Sequence, residues 1–185
     1  MVKFTSKPKG ENRDSVRLIK LKERFLMNKN QETKEKTCAF YASDYHFEMI
    51  SLPYIEKNLE ESKEILILTE NNLDDTIRNL ISKMNLKEDK KENILKIDWK
   101  NNDLSKFKKI KKDIEEKKDI IIFIKGKENY IKNINENIEK WIDKSSNIKI
   151  IDCYDMEEIS ENLDEVMDQY KMILNTTGEK EINKI

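Results

Sequence analysis

The residues best able to do chemistry stand together in one stretch, Tyr41-Ala42-Ser43-Asp44-Tyr45-His46. His46 is the sole histidine of the chain. With Asp44 two positions before it, the pair has the residue types of an acid/base couple, and Ser43 is the nearest hydroxyl. Glu70 is a third carboxylate that an enzymatic reading would recruit. The same residues also have a plainer use at the start of a helix, where the imidazole hydrogen-bonds the backbone or Asp44. The plainer use is favoured, because no catalytic constellation is complete here.

What the stretch lacks is more telling. A phosphate cradle brings backbone N–H groups close through glycines, then adds a lysine and a hydroxyl at the helix start. The turn Ala42-Ser43-Asp44-Tyr45-His46-Phe47 has no glycine and no lysine. It sets the Asp44 carboxylate where a phosphate would lie, and that charge would repel one. Only three glycines occur in the chain, Gly10, Gly126 and Gly178, and no GxGxxG is formed. Neither a nucleotide nor a dinucleotide cofactor is expected. One histidine and two cysteines without a CxxC leave little from which to make a metal site.

These residues need elements to position them, and the apolar pattern supplies five short blocks. They are Thr37–Ala42, Ile65–Thr69, Ile94–Asp98, Asp119–Lys125 and Ile148–Tyr154. Several are nearly continuous apolar runs, as strands covered on both faces are. Stretches of helical period alternate with them over Tyr45–Ser62, Asn72–Leu86, Asp103–Lys118, Glu128–Lys144 and Met156–Asn175. Pro53 predicts a short turn over Asp44–Ser51 and a main helix from Leu52. Strand and helix alternating five times predict an α/β fold: a three-layer, five-stranded parallel sheet with helices on both faces.

In such a sheet ligands bind beyond the carboxyl ends of the strands. Those ends present Tyr41, Ser43, Asp44 and His46 after the first strand, and Glu70 after the second. Tyr154 and Asp155 follow the last. The two tyrosines are candidates to flank a small organic ligand, and Asp155 also has the type and place of a helix cap. Trp99, Lys125 and Gly126 complete the strand ends.

The chain of 185 residues has a formal net charge of -1, so no global field draws it to nucleic acid or anionic lipid. The charge is nevertheless uneven. Residues 1–36 hold eleven Lys/Arg against five Asp/Glu, and residues 150–185 hold ten acids against three lysines. A basic amphipathic helix is predicted over Ser15–Asn28, within a basic arm spanning 1–36. The α/β domain follows over 37–175, and a flexible tail over 176–185. Cys38 and Cys153 each sit in an apolar block, as free thiols of a reducing compartment do, although neighbouring strands would permit a disulfide. No apolar run reaches the roughly 18–20 residues that span a bilayer, and no signal peptide follows Met1. A cytoplasmic location is therefore expected, with no membrane partner.

Two passages carry a family resemblance. Thr37–Asp44 (TCAFYASD), followed by an amphipathic helix and the strand ILILT, resembles the opening of the methanogen/methylotroph sensory (MEDS) domain. Ile150–Asp155 (IIDCYD) resembles that family's final core strand. The resemblance spans roughly Lys36 to Asn175. It implies a RecA-like fold, related to circadian-clock ATPases, that has lost its Walker motifs and serves as a sensory module for small organic compounds. By resemblance, Tyr41, Ser43, Asp44, Tyr154 and Asp155 are the family-matching positions. Where members carry glycine after the first helix, this chain has Asn58-Leu59-Glu60-Glu61-Ser62.

The expected function is therefore non-catalytic and regulatory, with a small ligand or protein partner held at the carboxyl ends of the strands and homodimerisation open. The alternative is a nucleic-acid-associated regulator that uses the basic N-terminal arm.

Overall fold

The computed structural model describes residues 36–100, 104–116, 118–141 and 147–182. The basic arm and its predicted helix fall on residues 1–35 and lie outside the described residues. Along the rest of the chain the order is β1 (Thr37–Tyr41), α1 (Asp44–Glu60), β2 (Glu64–Thr69), α2 (Asp74–Lys83), α3 (Glu88–Leu95) and α4 (Leu104–Glu115). It continues with β3 (Ile120–Gly126), α5 (Glu128–Glu139), β4 (Ile148–Asp155), α6 (Leu163–Met167), β5 (Met172–Asn175) and β6 (Gly178–Glu181).

The strands form one six-stranded sheet in the order β2-β3-β4-β1-β5-β6. All pairs are parallel except β5 with β6, which is antiparallel. The expectation of five parallel strands is corrected at two places. Ile94–Asp98 is not a strand: Ile94 and Leu95 complete α3. Behind the helix formers Glu88-Asp89-Lys90-Lys91-Glu92, Ile94 and Leu95 extend the helix rather than open a strand. The Trp99 indole N–H then donates to the Ile94 carbonyl at 2.9 Å and closes the turn.

The second correction lies at the carboxyl end. The helix expected over Met156–Asn175 is a run of turns, the short α6 and then β5, and residues 176–182, expected as tail, turn back into β6. Thr176-Thr177 makes a two-residue hairpin loop. Asn175 Oδ1 accepts from the Thr177 N–H (2.9 Å), and Gly178 takes φ +106, a region that favours glycine.

Both sheet faces are buried, which explains the continuous apolar runs. On one face Ala39, Tyr41, Ile65, Ile67, Phe123 and Ile151 pack under α1, α2 and α3. On the other, Cys38, Leu66, Ile122, Ile124 and Ile150 pack under α4, α5 and α6. Edge strands offer unpaired backbone groups to other chains, and both edges here are guarded by charge. Along β2, Lys106 Nζ donates to the Ile67 carbonyl at 3.2 Å. Along β6 the outer strand is Gly-Glu-Lys-Glu.

α1 begins at Ser43, whose Oγ accepts from the His46 N–H at 3.2 Å, and it runs unbroken through Pro53. The predicted break before Leu52 is absent. Pro53 is exposed and so is Met49, so the carbonyl that loses its partner at Met49 is on a turn that water reaches. At the other end Ser62 takes φ +60, with its N–H on the Leu59 carbonyl at 3.0 Å. A non-glycine residue in this region costs roughly 1–2 kcal/mol. Ser62→Gly should therefore stabilise the fold by up to about 1 kcal/mol, read as a higher urea midpoint with an unchanged slope.

One buried carboxyl interrupts the apolar layer under α5. Asp152 is fully buried. Asn135 Nδ2 donates to its two oxygens at 2.9 and 3.0 Å, and the Tyr170 hydroxyl donates to Oδ2 at 2.6 Å. The Tyr154 and Tyr170 hydroxyls meet at 2.7 Å. Burial raises the Asp152 pKa, outweighing these hydrogen bonds. The folded state then holds the proton more tightly than the unfolded chain. This group's contribution is full below the unfolded carboxyl pKa and is lost as pH rises through the raised folded value. Urea midpoints of Asp152→Asn and the parent should consequently diverge as pH rises above the ordinary carboxyl range near about 4, with the variant falling less.

Candidate functional site

The strand order creates one topological switch point. β1 connects through α1 to the far edge strand β2, whereas β4 connects past β1 to β5. α1 covers one face, and the β4–β5 connection covers the other with Ile159, Val166 and Tyr170. The two connections part at the carboxyl ends of β1 and β4, where a ligand crevice is expected. Tyr41 stands opposite Asp155 in that register, and Phe40 opposite Tyr154.

The period of two along a strand separates residues that the sequence put side by side. Tyr41 faces α1, and its ring meets Phe47 edge-on at 5.8 Å. Tyr154 faces the other way and joins the Asp152–Tyr170 network. The two tyrosines therefore lie on opposite faces and do not flank one space. Cys38 and Cys153 are divided in the same manner, and both are free thiols. Burial pushes the Cys38 thiol up to about 12 and raises Cys153 as well, so neither is a ready nucleophile.

Asp44, expected to repel a ligand, has a partner inside the chain. Lys125, at the end of β3, extends towards α1, and its Nζ lies 2.8 Å from Asp44 Oδ1. The lysine side chain is 3% exposed and the aspartate 48%. The ammonium also sits 4.6 Å from the Tyr41 ring centroid and 5.5 Å from that of Phe47, within cation–π range. Stem and ammonium are thus both buried, and the half-exposed Asp44 carboxylate covers the charge at the rim.

One turn along α1 lies Glu48, 3% exposed, with its Oε1 buried and without a hydrogen-bond partner. Burial holds this carboxyl above its ordinary range, and Asp44 reinforces the shift against Thr76 and Lys125. Burial likewise raises the Tyr41 hydroxyl, and the charges of Asp155, Asp44 and Glu70 add to it. Several carboxylates therefore share the electrostatic surroundings of Tyr41.

His46 and Asp44 do not form a couple with each other. His46 Nδ1 accepts from the Ala42 N–H at 3.2 Å, which leaves Nε2 to carry the proton of the neutral ring. Asp44 is turned to Lys125. Glu70 accepts from the Lys127 N–H at 2.8 Å and presses on Gly126. A Cβ there would lie 2.7 Å from Glu70 Oε2 and 2.5 Å from the Tyr130 ring, so a larger residue would have to displace both side chains. Asp155 Oδ1 accepts from the Glu157 N–H at 3.0 Å, capping a turn rather than a helix.

The rim thus gathers Tyr41, Ser43, Asp44, His46, Glu70 and Asp155, and excludes Tyr154. Lys125, read from the sequence only as a strand end, takes a place in the site, and Glu48 is the member that sequence reasoning missed. Lys125 ends an apolar strand, and Glu48 occupies the buried α1 stripe shared by Ser51 and Ile55. A polar residue at an apolar-period position is the signal that marks them. Among the described residues no cluster of three or more metal-ligating side chains is formed. A cavity of about 860 Å³ opens at the amino ends of β3 and β4, away from this rim. Two ion pairs lie in its lining, Lys149 with Glu179 and Lys63 with Glu61, beside Lys57 and Asp119.

The chain matches no protein-family model, no curated protein and no solved structure.

The Lys125–Asp44 pair should respond asymmetrically to substitution. Asp44→Ala leaves a buried ammonium without its acceptor and should cost about 1–3 kcal/mol. Lys125→Met keeps the stem and leaves Asp44 half in water, so its cost should be smaller. Equilibrium urea unfolding of the two variants measures the difference, and equal losses would contradict the assignment of burial to the lysine side.

Proposed function

We propose that this chain is a non-catalytic regulatory or sensory domain, MEDS-like and of RecA-related descent, that takes a small ligand or a protein partner at the rim between β1 and β4. The carrying observation is the Lys125–Asp44 pair at 2.8 Å. A phosphate-binding turn keeps its cationic donor free for the anion. Here the cation at the switch point is already neutralised by the first turn of α1, and a phosphate would have to compete with a carboxylate fixed in the same chain. The glycine-free turn offers no backbone nest to tip that competition. His46 and Asp44, each held by another partner, support recognition rather than proton transfer. Ser43, Glu70, Asp155 and His46 supply hydrogen-bonding groups for orientation, as binding sites with few polar contacts do.

A thermal-shift screen tests this reading. Mg-ATP and other nucleoside triphosphates should leave the melting temperature unchanged. A small organic metabolite that fits the rim, present at a hundred times its Kd, adds about 2.7 kcal/mol and raises Tm by several degrees. Asp44→Asn or Glu70→Gln should abolish that rise. Stabilisation by a triphosphate that survives both substitutions would overturn the proposal.

A further inference from the structure

The amino end of the sheet carries a step. β4 begins at Ile148, in register with Ile120 of β3, whereas its pairing with β1 starts only at Ile151, opposite Thr37. The second half of α1 lines this step, and residues 175–179 of the β5–β6 hairpin border it. Between them lies the cavity of about 860 Å³, within the roughly 300–1,000 Å³ of small-molecule sites.

Its apolar lining comes from Ile50, Pro53, Ile120, Ile121 and Ile148. Six charged side chains stand around it, and four of them are committed to each other. Lys149 pairs with Glu179, which also accepts from the Thr37 hydroxyl at 2.5 Å. Lys63 pairs with Glu61 and donates to Asn58 Oδ1 at 2.8 Å. Lys57 and Asp119 remain, both exposed. Among the described residues neither has an opposite charge within ion-pair distance. The Asp119 carboxylate accepts from the Asn147 amide.

The uncommitted charge is therefore one cation and one anion, with no excess of either sign. A ligand carrying a single charge would pair with one and leave the other alone, whereas a zwitterion pairs with both. Lys57 belongs to α1 and Asp119 to the start of β3, the two layers that bound the cavity. An α-amino acid holds its two charges on one carbon. The termini of an extended peptide of two to four residues stand roughly 7–14 Å apart, the scale needed to reach from helix to sheet.

We propose that this cavity binds a short peptide with free termini, its carboxylate on Lys57, its ammonium on Asp119 and its apolar side chains against the isoleucines. The site is separate from the rim and stands without that reading.

Equilibrium dialysis of the full chain against leucine, alanyl-leucine and leucyl-alanyl-leucine tests it, with each peptide also N-acetylated or C-amidated. The free peptides should bind saturably and more tightly than leucine, and each blocked form about 10-fold or more weakly. Lys57→Met should weaken the free peptide about 10-fold and leave the amidated form unchanged. Asp119→Asn should do the same for the free peptide and spare the acetylated form. Asp44→Asn at the rim and Lys111→Met on α4 should leave affinity unchanged, and melting curves should show every variant folded. Absence of binding by all the free probes would overturn the proposal. So would blocked forms that bind as well as the free peptides, or a loss in Asp44→Asn equal to that in Lys57→Met.

Discussion

A single ammonium group fixes the character of the switch point. Lys125 grows from the end of β3 inside a nearly dry sheet, sets its ammonium over the rings of Tyr41 and Phe47, and finds its counter-charge in Asp44. A buried lysine needs an acceptor, because the desolvation of its charge is otherwise uncompensated. Asp44 can serve only if α1 begins where it does, and Ser43 caps that start. The cap, the helix and the strand end are thus mutually dependent. Once the pair forms, the carboxyl end of the sheet, where open parallel sheets receive ligands, already contains an anion.

The remainder of the sheet shows how polar groups are afforded in a layer covered on both sides. Asp152 is tolerated because Asn135 and Tyr170 supply donors and because burial keeps its proton close. Lys106 covers a carbonyl of the edge strand β2, and the charged β6 closes the opposite edge. Asp152 and Lys106 each find partners within the fold, whereas Asn135 spends its amide on Asp152 and leaves its own oxygen buried without a donor. By contrast, Tyr45, Met49 and Met156 are left exposed to water.

Much of the architecture was legible from apolar runs. β1, β2, β3 and β4 begin and end within a residue or two of their expected places, because β-branched blocks bounded by charge have few other options. The misreadings have definite causes. Ile94–Asp98 borrowed the look of a strand from residues that finish a helix and plug a core with Trp99. The carboxyl-terminal pattern of Ile159, Leu163, Val166 and Tyr170 has helical spacing over several turns, and only α6 realises it. The Asn175–Gly178 turn outweighed that period by allowing Met172–Leu174 to join the sheet.

The amino-acid sequence by itself determined the α/β class, the buried parallel strands and the glycine-free turn, since each follows from local composition and period. The tertiary structure decided which of the neighbouring residues share a space. Tyr41 and Tyr154 look equivalent as strand ends, yet the alternation of side chains across a pleated sheet puts them on opposite faces. Asp44 and Lys125, eighty-one positions apart, meet only because β3 and β1 lie on either side of β4, a placement that no local pattern encodes.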